Sequence, residues 1–119
     1  MLPEVWIKEI NNCKDPVNWV QETARQLVKD FLMLDLPLEL NPLQEDYATL
    51  FKDARKILEH IYIHQFAVFQ NLLYRIDIPE TVLKNTLQGL NGDALYDALT
   101  ELILRREFMK VVYRQTYSR

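Results

Sequence analysis

Apolar residues recur at the three- and four-residue spacing of an amphipathic helix through most of the chain. The pattern is clearest after Asp15 and Pro16, a pair typical of a helix start because the side chain caps the helix and proline fits its first position. From there to about Met33, a single apolar stripe faces a polar side. The stripe consists of Val17, Val20, Ala24, Leu27, Val28 and Phe31.

The segment from Gln44 to Tyr74 contains neither Gly nor Pro, and it predicts one long helix. Beyond Ile57 its apolar residues fall on two adjacent lines that together span about 200° of the circumference. A helix packed on one flank needs about 100°. We therefore expect other helices or a second copy of the chain to cover the excess. The residues predicted at such an interface are Tyr62, Phe66, Phe69 and Leu73, with Phe108 from the last helix.

Proline and glycine divide the rest of the chain. A short helix is predicted after Pro3, and a second short one from Pro79 to Gln88 with Gly89 as its C-terminal signal. Residues 35–42 are predicted to be extended, because a residue before proline avoids the helical region. Asn41 with Pro42 predicts the start of the long helix, and Asp93 is expected to cap the last helix, whose second half is apolar on two sides.

These elements predict an all-α protein. We expect a compact bundle of about five helices, two of them short, around the long central helix, in a single domain spanning residues 1–119 and forming a homodimer. Two glycines in 119 residues also disfavour a β-rich fold, which needs many tight turns.

Composition adds a location but little chemistry. The single cysteine, Cys13, cannot form an internal disulfide and fits a reducing compartment, and no apolar run reaches the length of a membrane helix. A cytoplasmic location without membrane contact is therefore expected. The net charge is −3, although the last residues are basic. Arg105, Lys110 and Arg114 could contact nucleic acid or an acidic partner, but compensation of the helix dipole and of the acidic remainder is favoured.

His60 and His64 stand four residues apart on one predicted helix, a spacing that can present two imidazoles to one metal ion. Glu101 or Glu107 of the last helix could supply a third ligand. The surrounding residues match neither the di-iron nor the zinc-protease pattern, because no glutamate stands at the required positions. A hydrogen-bonded structural pair is the favoured alternative.

Arg106 falls on the apolar stripe of the last helix, where an unpaired guanidinium would be costly to bury. Three explanations are open. The side chain can pair with a carboxylate, it can lay its methylenes on the core while its head reaches solvent, or it can bind an anionic ligand. Pairing with a carboxylate is favoured.

No pattern of catalytic residues is evident. Serine occurs once, at Ser118, and Gly89 and Gly92 form no phosphate-binding loop, so neither an enzyme nor a cofactor is indicated. We expect a non-catalytic interaction or scaffold protein that self-associates. The alternatives are a metal- or small-ligand-binding bundle using His60 and His64, and docking on an acidic partner or nucleic acid through the basic C-terminal helix.

Overall fold

A computed structural model describes residues 2–13, 17–34 and 40–117. Within these ranges the chain forms six α-helices and no strand, which confirms the predicted all-α class. The helices are α1 (Glu4–Ile10), α2 (Trp19–Leu32), α3 (Tyr47–His64), α4 (Phe66–Ile76), α5 (Glu80–Leu87) and α6 (Gly92–Tyr117). Among the described residues, no helix combines the length and apolar character needed to cross a membrane.

The centre of the bundle is α6, and not the segment from Gln44 to Tyr74 as the sequence predicted. Each of the other five helices packs against α6. The apolar surface predicted on two sides of this helix is thereby covered by other helices of the same chain. Its fully buried residues include Leu99, Ile103, Leu104, Phe108 and Val111. The Cα radius of gyration is 14.0 Å, close to the ~13.5 Å expected of a compact chain of this length.

The predicted long helix is interrupted at Gln65, which separates α3 from α4 and has φ −139° and ψ 55°. A continuous helix would place Gln65 on the buried line between Ile61 and Phe69, where its amide would lose its hydrogen bonds to water. The break turns the side chain to the surface, where it is exposed. The backbone on both sides stays bonded, since Gln65 donates to Ile61 and accepts from Phe69.

Two helix starts also differ from prediction. The side chain of Asn18 accepts a hydrogen bond from Gln21 N at 3.0 Å, so α2 begins at Trp19 and Val17 precedes it. Asp46 caps α3 through Thr49, whereas Asn41 closes a local turn. The predicted start at residues 15–16 and the extended residues 35–39 lie outside the described residues.

The boundaries of the second short helix agree with prediction. Pro79 precedes α5, and Gly89 has φ +78°, a conformation that residues with a Cβ rarely adopt. The last helix begins two residues earlier than a cap at Asp93 predicts, at Gly92, so Asp93 lies in its first turn.

Aromatic rings join α1 to the core. Trp6 stacks on Phe108 with the ring centroids 4.2 Å apart, and Tyr47 meets the edge of Trp6 at 5.0 Å. Trp19 of α2 approaches Phe108 at 5.9 Å. Such pairs add about 0.5–1.5 kcal/mol each beyond the burial of their area. Phe108 therefore holds α1 and α2 against α6.

Candidate functional site

Three of the five residues predicted at a dimer interface lie inside the chain's own core. Phe69 and Phe108 are fully buried and Leu73 is nearly so, because the neighbouring helices of the same chain cover them. A second copy is not needed to shelter these side chains. The width of the apolar surface on a helix does not identify which neighbour covers it.

Tyr62 and Phe66 remain at the surface of the α3–α4 junction. Tyr62 is half-buried, and its ring centroid lies 5.5 Å from that of Phe66 and 5.9 Å from that of Tyr96. Phe66 is 47% exposed, and Ile63 beside it is 52% exposed. We call Tyr62, Ile63 and Phe66 the junction surface.

An open groove of about 810 Å³ runs along α3 next to this surface. Both histidines line it together with Ile63 and Gln65 at the end of α3, and Phe31 contributes from α2. Its charged rim combines two acids with one lysine. Among the described residues, the lining also includes Asp53, Lys56, Ile57, Glu59 and Ile61. We call this feature the histidine groove.

His60 and His64 are both exposed, with ring centroids 4.8 Å apart and ring planes inclined by 46°. Among the described residues, no hydrogen bond or ion pair reaches either ring. The predicted structural pair is thus a ring contact without a hydrogen bond. The described residues also contain no group of three potential metal ligands. Glu107 is buried elsewhere, so it cannot be the third ligand.

Arg106 is paired within the chain, as the favoured explanation predicted. Its Nε donates to the carbonyl oxygen of Ile76 at 3.2 Å, and a terminal nitrogen lies 3.0 Å from the carboxylate of Asp77. The guanidinium therefore caps the C-terminal end of α4, where backbone carbonyls lack helical partners. Its role in this structure is to join α4 to α6.

The structure also brings together a set of polar residues that the sequence analysis missed. Asp30, which is buried, accepts hydrogen bonds from Lys110 Nζ at 3.0 Å and from Gln26 Nε2 at 3.3 Å. Arg75 lies 3.5 Å from the same carboxylate, and Arg114 donates to Gln26 at 2.7 Å. We call the group the buried carboxyl cluster; its members are Gln26, Asp30, Arg75, Glu107, Lys110 and Arg114.

Glu107 is the unusual member of the cluster. The residue has no solvent-accessible surface, and neither carboxyl oxygen has a hydrogen-bond partner in the structure. Lys110 Nζ lies 3.5 Å from one oxygen. Burial and the adjacent Asp30 carboxylate raise the pKa of Glu107 from its ordinary 4.5 to about 9. Glu107 is therefore protonated at neutral pH.

Asp30 shows the opposite behaviour. Burial opposes its ionisation, but the Glu107 carboxyl, Lys110 and Gln26 outweigh burial and lower the pKa of Asp30 below its ordinary value. One signal in the sequence could have revealed the cluster. Glu107 stands four residues from both Ile103 and Val111, on the buried line of α6.

Two basic residues of the C-terminal helix bind polar side chains of the same chain. Lys110 and Arg114 are bound to Asp30 and Gln26 of α2, so these two side chains are not free to contact phosphates. This arrangement favours charge compensation within the molecule over docking on nucleic acid.

No family model, curated protein or solved structure matches this chain.

Proposed function

We propose that this protein is a non-catalytic helical interaction module that self-associates through the junction surface. One observation carries the proposal. Ile63 lines an open groove and is about half exposed, as is Phe66. Ile61 and Phe69 of the same apolar segment are buried. Apolar surface next to a concave feature is typical of a protein interaction site.

The polar groups of the molecule support a non-catalytic role. Glu107 is sealed from solvent, and Asp30 is bound by α6 and by its own helix. A substrate would have to separate α2 from α6 to reach either carboxyl group.

A second copy of the chain is the partner that we favour. The rim of the histidine groove carries Asp53 and Lys56 within one turn of α3, so it presents both signs of charge. In a two-fold symmetric dimer the same patch faces itself, and each charge can then meet its opposite. Because Phe69, Leu73 and Phe108 are already buried, the interface would be of standard size, ~1,200–2,000 Å², and not a large obligate one.

Analytical ultracentrifugation over a micromolar concentration series tests this proposal. We expect reversible dimerisation of the wild type and a monomer for Phe66→Glu, because a carboxylate at this surface must be desolvated for a dimer to form. Val82→Glu on α5 is the matched control. Val82 is an apolar residue of similar exposure (42%) on another helix, and its variant should dimerise normally.

Thermal unfolding of both variants keeps the result interpretable. A folded Phe66→Glu protein that still dimerises would refute the junction surface as the interface. A wild type that stays a 14 kDa monomer throughout the series would refute self-association itself.

A further inference from the structure

The two histidines have features of a chelating pair that self-association does not require. Both imidazoles are exposed, His64 on the last turn of α3 and His60 one turn earlier. Among the described residues, neither is engaged by a hydrogen bond or an ion pair. Their nitrogen lone pairs are consequently open to an external Lewis acid. Imidazole is a preferred ligand of zinc, copper and nickel ions.

The distance between the rings suits a shared metal ion. Metal–nitrogen bonds of about 2.0–2.1 Å place two rings on one ion with centroids about 5 Å apart. The observed separation of 4.8 Å agrees with this value. The 46° inclination also keeps the rings from stacking flat on each other.

The end of the helix favours a cation. The two histidines lie at the C-terminal end of α3, where the carbonyl groups give the helix its negative end. Asp53 and Glu59 line the same groove, with Lys56 opposing them. The charged side chains add no net attraction, because Glu59 lies 3.4 Å from Arg55 and Lys56 opposes Asp53.

We propose that His60 and His64 chelate one divalent first-row transition-metal ion of the zinc, nickel and copper class, with water in the other coordination positions. Once one imidazole binds, the second acts intramolecularly at a high effective concentration. The pair should therefore bind much more tightly than either histidine alone. This site goes beyond the proposed self-association and lies within a single chain.

Isothermal titration of the full chain with Ni²⁺ tests the proposal. We expect one ion per chain for the wild type, and His60→Ala and His64→Ala should each weaken binding by at least about tenfold, or 1.4 kcal/mol. Two controls should retain wild-type affinity. Cys13→Ala excludes the thiol as a ligand, and Val82→Glu adds a carboxylate on a different helix.

The same titration of Phe66→Glu separates this proposal from self-association. We expect the folded monomeric variant to bind Ni²⁺ as the wild type does, with imidazole proton signals in NMR spectra broadened by the ion. Loss of binding in that variant would overturn the single-chain site. Wild-type affinity no higher than that of the single-histidine variants would also overturn it, because the ion would then be adventitious.

Discussion

At the scale of single residues, the fate of an acidic side chain depends on which residue faces it. Asp30 and Glu107 are both buried carboxyl groups beside Lys110, yet their pKa values move in opposite directions. Asp30 receives hydrogen bonds that favour its charged form, whereas burial and the adjacent Asp30 carboxylate favour the protonated form of Glu107. The pair is stable because one group keeps its proton.

We predict that the stability of the protein depends on pH through Glu107. Its folded-state pKa of about 9 lies above its ordinary 4.5, so the folded chain retains a proton that the unfolded chain releases between these values. The contribution to stability is complete below pH 4.5 and is lost as the pH rises through 9. The slope in that window is at most about 1.4 kcal/mol per pH unit.

Glu107→Gln should remove this slope and be more stable than the wild type at pH 8, because an amide cannot ionise. Urea unfolding at pH 5, 7 and 8.5 measures the effect. Glu101→Gln, at an exposed position on the same helix, should keep the wild-type slope. A wild type whose unfolding free energy is constant from pH 5 to 8.5 would contradict the assignment.

At the scale of elements, the C-terminus of α4 is fixed by its neighbour as well as by its own residues. Asp77 adopts φ +65°, and Ile78 N bonds to Leu73 O at 2.9 Å, which closes the helix. Arg106 of α6 then donates a hydrogen bond to the carbonyl oxygen of Ile76, which lies within the turn closed by the Ile78–Leu73 bond. The two helices are joined through backbone and side chain together.

We predict that Arg106→Ala lowers the unfolding free energy by about 1–2 kcal/mol, since it leaves the end of α4 without its donor. Asp77→Asn should cost less than about 1 kcal/mol, because Asp77 is 80% exposed and asparagine tolerates the same φ. Urea unfolding compares the variants, and hydrogen exchange should quicken in the last turn of α4 only for Arg106→Ala. Equal losses would mean that the ion pair, not the carbonyl contact, joins the helices.

At the scale of the whole molecule, stability depends on the aromatic contacts that bring distant segments onto α6. Phe108 meets Trp6 and Trp19, which are far from it in sequence. Phe66 belongs to a second aromatic group at the junction surface and is half exposed. Truncation of Phe108 and of Phe66 should therefore lower the unfolding free energy by very different amounts.

We predict that Phe108→Ala lowers the unfolding free energy by about 3–5 kcal/mol, because it leaves a cavity between three helices. Phe66→Ala should cost about 1 kcal/mol, in proportion to the area that it buries. Urea unfolding of both variants at one pH tests the contrast. Similar losses at the two sites would place Phe66 in the core and remove the surface on which the proposed dimer depends.

The elements were largely predictable from local pattern. The 3.6-residue period identified the all-α class, and Pro79 and Gly89 located α5 because each restricts the backbone directly. The break at Gln65 was missed, although its cause is local: a polar residue on a buried line. The Asp15–Pro16 pair predicted too early a start for α2, because it is Asn18 that caps the helix.

The sequence by itself determined which segments are helical and that two of them have apolar surface on more than one side. Tertiary packing decided which helix is central, which aromatic rings are buried, and that Asp30 and Glu107, 77 positions apart, share one site. The physical reason is the sequence distance over which each interaction acts. Backbone propensity and periodicity act within a few turns, whereas burial and carboxyl ionisation depend on whichever distant residue packs against each side chain.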